Sequence, residues 1–380
     1  MRIFFKIICL SIVVSTIVSC DKEYVVPQDL VVHDFVWKGL NAYYLHQDQI
    51  EDLSDRRFNS DRELNAYLST FPDYNTLFSN LLITGDIKSN LVEDYNTIIN
   101  NPELRTSFTN GLEFGIIADP NDDENVLGYV THILPNSNAS TKNIKRGDYF
   151  FAVNGIQLTR TNYENILING LDNFTLNMAN FDGNIITSNT ITITLEKQNY
   201  SYHPIHLQKV IPDSGNNVGY IMYNNDFSRN YINDLNNTIL GFKNQSVNEL
   251  ILDLRYNVGG GSFAKNISQI ASMITDQFPE EVLIKEQWNV KAQPWFLANQ
   301  PDSLLTKFST KLNETTTINS LSLTDVYIIL NGENYLGSSA IELLINSLKP
   351  YVNVRIIGNQ TAGNNTVSYT HLTLPTKRIV

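Results

Sequence analysis

Four runs in the last half of the chain limit what it can fold into: Val218–Tyr223, Glu249–Leu254, Asp325–Leu330 and Val352–Ile357. Each has strand length, and the second and third are apolar almost throughout, the pattern of strands covered on both faces. Helical spacing is predicted between them, over about Ser228–Phe242, Phe263–Ile274 and Ser339–Leu348. The middle one places Ile267, Ile270, Ala271 and Ile274 on one stripe. Strands alternating with helices of that length make βαβ crossovers, so the expected core over 203–365 is an α/β layered structure. At 380 residues the chain has room for further domains ahead of it.

Those upstream regions read differently, so the whole is a multidomain α+β chain. Over 30–110 the apolar residues recur at helical spacing: Phe35, Leu40, Tyr43, Tyr44, then Leu64, Tyr67, Leu68, then Leu77, Phe78, Leu81. Asn59-Ser60-Asp61 supplies an N-cap, and the Tyr43/Tyr44 pair reads as core. Over 112–200 the pattern changes to short strands. Phe114–Ile117 and Leu127–Val130 flank a turn at Asp119–Asp123; a helical piece at Ala139–Ile144, the strand Tyr149–Val153, a helix from about Asn162 and the strand Ile191–Leu195 follow. The acidic stretch Asn121–Glu124 lacks the spacing of a calcium loop and reads as a solvated turn. Lys145-Arg146-Gly147-Asp148-Tyr149-Phe150-Phe151-Ala152-Val153-Asn154-Gly155 resembles the core of PDZ domains, with Gly147 and Gly155 in turns of positive φ. That resemblance implies capture of a peptide C-terminus by strand addition, with Phe114, Gly115 and Ile116 as the carboxylate-binding loop.

Composition removes several classes of function. The net charge is −12, and no cluster of Lys and Arg occurs, so a nucleic-acid partner is not expected. The first residues carry Arg2 and Lys6, then an apolar run from Ile7 to Val18, then Ser19-Cys20. The run is shorter than the roughly 20 residues of a bilayer span. It resembles a bacterial lipoprotein signal over 1–19, with Cys20 as the lipidated residue and 20–29 as a polar tether. The implied location is the cell envelope, with the protein held at a membrane by that lipid and facing periplasm or cell surface. Cys9 and Cys20 are the only two cysteines, so disulfide, thiolate–zinc and cysteine-nucleophile readings fall away for the body of the chain. No metal or cofactor is called for.

At the other end, Val367–Thr376 is the ten-residue product of one frame of a common transposon-derived sequencing adapter. The native reading is therefore expected to end near Asn365, with 366–380 as read-through and the core incomplete. Resequencing the locus across these codons tests this.

Two segments carry chemistry. Asp253-Leu254-Arg255-Tyr256-Asn257-Val258-Gly259-Gly260-Gly261 is a buried strand opening into a glycine-rich turn. Such a turn can hold an anion on its backbone N–H groups, but it lacks the Gly-Lys-Ser/Thr ending of a phosphate loop. In the second, Gly337-Ser338-Ser339-Ala340-Ile341-Glu342 opens a helix, where a serine is either an N-cap or a nucleophile. Gly358-Asn359-Gln360-Thr361-Ala362-Gly363-Asn364 follows.

In this order, the three motifs resemble the C-terminal processing (tail-specific) serine peptidases, which share a core with tricorn. Their pattern is D-L-R-x-N-x-G-G, S-A-x-E and G-x-x-T-x-G-K, preceded by a PDZ domain. The helical start and the lipoprotein signal suit the branch found in Bacteroides-like bacteria. The resemblance implies Ser339 as nucleophile, in preference to Ser338, with the amides of Ala340 and Gly259 as oxyanion donors and polypeptides with free C-termini as partners. It also implies a lysine base twenty-five positions after the serine, and there this chain has Asn364, which cannot accept a proton. Two readings follow: a serine endopeptidase whose base codon was altered beside the adapter junction, or a catalytically inactive paralogue that binds peptides. His33, His46, His132, His203 and His206 lie outside the motifs and offer no substitute base in the sequence.

Overall fold

The computed structural model describes residues 25–86, 89, 91, 106–224, 227, 231–257, 264–331, 338–359 and 361. These fall into two compact units. The described residues before 96 form the first together with Gln287–Leu304; the rest form the second.

The first unit is helical. Helices α1 (Val31–Tyr43), α2 (Asp61–Leu68) and α3 (Tyr74–Asn80) enclose Trp37, Tyr44, Leu53, Leu64, Leu68, Leu77 and Leu81. The expected cap is present: Ser60 Oγ accepts the Glu63 amide at 3.2 Å, and the Glu63 carboxylate in turn accepts the Asn59 amide at 2.7 Å. Asp73 does the same for α3 through the Thr76 amide at 2.7 Å. Tyr44 is core, as expected. Tyr43 is instead 37% exposed and meets Trp288 edge-on.

The second unit begins with a six-stranded antiparallel sheet. Its strands are β2 (Leu112–Asp119), β3 (Asp122–Ile133), β4 (Tyr149–Val153), β6 (Asn173–Phe181) and β7 (Ile186–Glu196) in that order, with β5 (Ile156–Gln157) paired to β4. A separate ribbon joins β1 (Thr106–Thr109) to β8 (Gln198–Ser201), so strand structure begins inside the span expected to be helical. Gly147 (φ 88°) and Gly155 (φ 79°) sit in the turns assigned to them. Strand β6 was not predicted, although Phe174, Leu176 and Met178 are all buried at the alternate spacing of a half-covered strand. The expected helices are smaller than predicted, a single 3₁₀ turn at Ala139–Thr141 and a π turn at Glu164–Ile168.

Phe114, Gly115 and Ile116 require a correction. They are not in a loop but in the middle of β2, opposite Val130, Tyr129 and Gly128 of β3. Gly115 is needed there because a Cβ would fall 2.4 Å from the Tyr129 ring. The turn that precedes the strand is Asn110–Gly111, where Asn110 Oδ1 accepts the Leu112 amide at 2.9 Å. Among the described residues β2 is an edge strand, its outer side unpaired.

The α/β core has the expected layering. Strands β9 (Ile205–Asp213), β10 (Asn216–Tyr223), β11 (Glu249–Asp253), β14 (Asp325–Ile329) and β15 (Asn353–Ile357) form one sheet, ordered β15-β14-β11-β10-β9. All neighbours are parallel except β9, which pairs antiparallel with β10 at the edge. Helices α4 (Ile232–Asn244), α5 (Ala264–Ile274) and α7 (Ser339–Leu348) belong to the crossovers. Their Ile239, Ile267, Ile270, Ile341, Leu344 and Leu348 share one core with Ile221, Leu250, Leu252, Val326 and Ile328 of the strands. Helix α5 is buried from Asn266 to Ile274, polar residues included. Those residues keep partners: Asn266 donates to the Phe227 carbonyl at 2.9 Å, and Gln269 to that of Leu312 at 2.8 Å.

Between β12 (Val282–Lys285) and β13 (Leu305–Lys307) the chain leaves the core for the helical unit, where 287–304 carries α6 (Gln293–Asn299). The excursion is fixed there by buried Asn289, which donates to the carbonyls of Ala42 at 3.1 Å and Tyr44 at 2.9 Å. Lys291 adds bonds to Asn41 at 2.6 Å and Asp55 at 2.5 Å. Replacing Asn289 with Ala removes its bond to the part-buried Ala42 carbonyl and one of the two bonds to that of Tyr44, which keeps the Gln47 amide, and should cost about 1–3 kcal/mol. Limited proteolysis should then cut within 287–304 well before the wild-type protein is nicked, and an unchanged digestion pattern would contradict this.

Candidate active site

The carboxyl ends of β11, β14 and β15 bring the three sequence motifs to one edge of the sheet, where open α/β sheets place their chemistry. A groove of about 400 Å³ between Val247–Glu249 and Leu321–Asp325 lies at the opposite, amino-terminal edge and has no motif residue in it.

Strand β11 ends on Asp253, which is fully buried. Its carboxylate accepts the Arg255 Nε at 2.8 Å and the Arg255 amide at 3.2 Å on one oxygen. The other oxygen accepts the Arg255 terminal nitrogen at 2.5 Å and the Tyr220 hydroxyl at 2.7 Å. Burial pushes the Asp253 carboxyl upward, but the Arg255 and Tyr220 bonds together outweigh it and hold it below the usual carboxylate range. Burial, reinforced by the Asp253 charge, raises the Tyr220 phenol to about 12. The Asp-Leu-Arg sequence is thus a lock on the strand end. Leu254 completes it by donating its amide to Ile329 of β14 at 2.9 Å. Tyr220, on the strand next to β11, was not picked out by sequence reasoning as part of this site.

The turn continues through Tyr256 to Asn257, whose amide returns to the Leu254 carbonyl at 3.1 Å. Asn257 is wholly buried, and its Oδ1 accepts the Ser338 hydroxyl at 3.2 Å. Ser338 is the N-cap of α7, its Oγ also accepting the Ile341 amide at 3.3 Å, while its carbonyl accepts that of Glu342 at 3.1 Å. The two adjacent serines are therefore separated by role. Ser338 is 9% exposed and committed to the cap. Ser339 is the first helical residue, half-buried, and its hydroxyl has no hydrogen bond among the described residues. Ala340 is fully buried on the next position. Capping takes up the Ile341 and Glu342 amides and leaves those of Ser339 and Ala340 to other acceptors at the positive end of the helix.

The third motif begins at Gly358, after β15. Its φ is 123°, and a Cβ there would stand 2.5 Å from the Leu330 carbonyl oxygen, so no other residue fits. The structure thereby ties the third motif to the strand that leads into Ser339. Gly259, Asn364 and Cys20 lie outside the described residues.

Two of the histidines set aside on sequence position come to this turn. The His132 ring, at the end of β3, lies 4.7 Å from the Tyr256 ring at 32°, and His206 of β9 stands edge-on to His132 at 5.3 Å. Burial, with the Arg146 and His206 charges beside it, depresses His132 to about 4. Burial also lowers His206, opposed by Asp253. Nothing in sequence spacing signals this cluster, because its members come from β3, β9 and the turn after β11. Among the described residues no group of three or more His, Cys, Asp or Glu could hold a metal ion, and no helix is long and apolar enough to cross a membrane.

Residues 217–378 match the model of Peptidase family S41. The chain carries a Peptidase family S41 domain. The matched span takes in 366–378, which the sequence reading sets apart as adapter. Among solved structures, the chain is similar to a protein described as an S41 protease from Bacteroides fragilis NCTC 9343. The identity is 21%, covering 90% of this chain and 82% of that one, with a TM-score of 0.64. That likeness shows the fold. A photosystem II D1 C-terminal processing protease also aligns, at 17% identity over 87% of this chain and 81% of that one, with a TM-score of 0.40. No curated protein matches by sequence.

The depressed His132 makes a measurable contribution to stability. Folded, it takes up a proton only near pH 4, whereas the unfolded chain does so near its ordinary 6.5. Acidification between these values therefore favours unfolding, so stability rises with pH across that window, by at most about 3 kcal/mol from this group. In His132→Phe that share should vanish. Urea unfolding at about pH 4.5 and about pH 7.5 should give a smaller difference for the variant than for the wild type.

Proposed function

We propose that this chain derives from a serine endopeptidase of the C-terminal processing type, acting in the cell envelope on polypeptides recognised by their C-termini. The observation that carries the reading is the division of labour at Ser338-Ser339. The first hydroxyl is consumed by the helix cap and Asn257, which leaves the second unbonded among the described residues at a helix N-terminus. In this reading Ser339 Oγ attacks the scissile carbonyl. The oxyanion is stabilised by the Ala340 amide and, from the turn after β11, by that of Gly259. The amine leaves, and water hydrolyses the acyl-enzyme.

The edge strand β2 supports the substrate side of the proposal. A peptide adding as a seventh strand would run beside Phe114, Gly115 and Ile116, its carboxylate towards the Asn110–Gly111 turn. In the same reading the sheet is the PDZ-like module, and Cys20 carries the lipid that holds the protein at the membrane.

The second reading, a peptide-binding paralogue without catalysis, is favoured by one residue. Asn364 stands where the resemblance calls for a lysine that accepts the serine proton, and an amide cannot do so. As written, the chain should not turn over substrate.

A fluorophosphonate probe and a fluorogenic peptide with a free C-terminus separate the two. Asn364→Lys should gain probe labelling and cleavage by at least about 100-fold over the chain as written, and Ser339→Ala on that background should abolish both. On the same Asn364→Lys background, Ser338→Ala should still be labelled, but more slowly, while losing about 1 kcal/mol of helix stability. Peptide binding with no labelling in Asn364→Lys would overturn the enzymatic reading in favour of the binding protein.

A further inference from the structure

Among the described residues, the ring of Tyr256 is one place where the six-stranded sheet meets the α/β core. Tyr256 is packed against His132 at the end of β3 and lies under the guanidinium of Arg146, which stands 5.7 Å from its centroid. Arg146 comes from the turn ahead of β4, and His206 of β9 stands edge-on to His132 at 5.3 Å. His132 is only 8% exposed; its Nδ1 is 3.3 Å from the Thr131 hydroxyl, its Nε2 has no hydrogen-bond partner among the described residues, and ring packing supplies its contacts to the core.

Tyr256 is the third residue of a β-turn closed by the bond from the Asn257 amide to the Leu254 carbonyl. The backbone rotation that swings the Tyr256 ring also swings the next residue. That residue is Asn257, whose Oδ1 holds the Ser338 hydroxyl and with it the first turn of α7. Asp253 locks the strand end before the turn, but its bonds go to Arg255 and Tyr220 and do not reach Tyr256.

We propose that Tyr256 is a positioning residue: held by His132 and Arg146 of the six-stranded sheet, it fixes Asn257 and, through Ser338, the helix turn that presents Ser339. The catalytic sense of this rests on the reading of Ser339 as a nucleophile; the mechanical coupling does not. It makes the sheet that would take the substrate C-terminus a structural part of the nucleophile's support.

Hydrogen exchange on the full chain tests the coupling without needing turnover. Tyr256→Ala and His132→Ala should each lower protection in peptides covering 338–348 by about tenfold or more, and peptides from α5 should be unchanged. Tyr256→Phe, which keeps the ring, should behave as wild type. Unchanged protection over 338–348 in both alanine variants overturns the proposal, and so does an equal loss in α5, which would mean general destabilisation. On the Asn364→Lys background, Tyr256→Ala should lower kcat by about 10- to 100-fold with KM changed by less than about threefold. Wild-type kcat in that variant overturns the positioning role. If Asn364→Lys itself shows no Ser339 labelling, the peptidase reading falls, and the exchange data still decide the coupling.

Discussion

Parallel pairing of β11, β14 and β15 is the constraint on which the rest of the candidate site depends. The register sets Asp253 beside Ile329, and Ile329 beside Ile357. Three motifs far apart in sequence then emerge at the same edge of one sheet, with no side chain needed to recruit them. The local devices only refine this placement. Asp253 fixes the exit from β11 through Arg255 and Tyr220, Leu254 ties that exit to β14, and Gly358 lets the exit from β15 pass within contact of Leu330.

Burial has different outcomes at Asp253 and at His132 near this edge. Asp253 is buried yet stays ionised because it has a cation and a phenol within bonding distance. His132 is buried among rings beside a cation and stays neutral. Around neutral pH the turn after β11 is thus flanked by one fixed charge pair and one uncharged stack.

Legibility from sequence followed the range of the determining contacts. The apolar runs at 249–254 and 325–330, the helix at 339–348 and the Ser60 cap were readable because residues a few positions apart decide them. The preference for Ser339 over Ser338 came from motif spacing; the bond of the capping Ser338 to Asn257 is a long-range contact that no spacing gives. Strand β6 was missed although its alternation at Phe174, Leu176 and Met178 was available to be read. Phe114–Ile117 was readable as a strand, whereas the loop role that the PDZ resemblance laid on Phe114–Ile116 belongs to no loop here, because these residues pair with β3 along their whole length. The stack of His132 on Tyr256 had no sequence signal at all, since it joins residues from a sheet strand and a core turn.

The excursion at 287–304 has a consequence for how the chain is made. The carbonyls of Ala42 and Tyr44 are capped by Asn289, which lies 247 and 245 positions downstream. On a ribosome, the helical unit would be synthesised first but lack its last wall until residue 304 had cleared the exit tunnel. By then the antiparallel sheet and the first half of the α/β core would already have been synthesised. The unit at the start of the chain would therefore be among the last to be completed. No single cut between the two units would leave the first one whole.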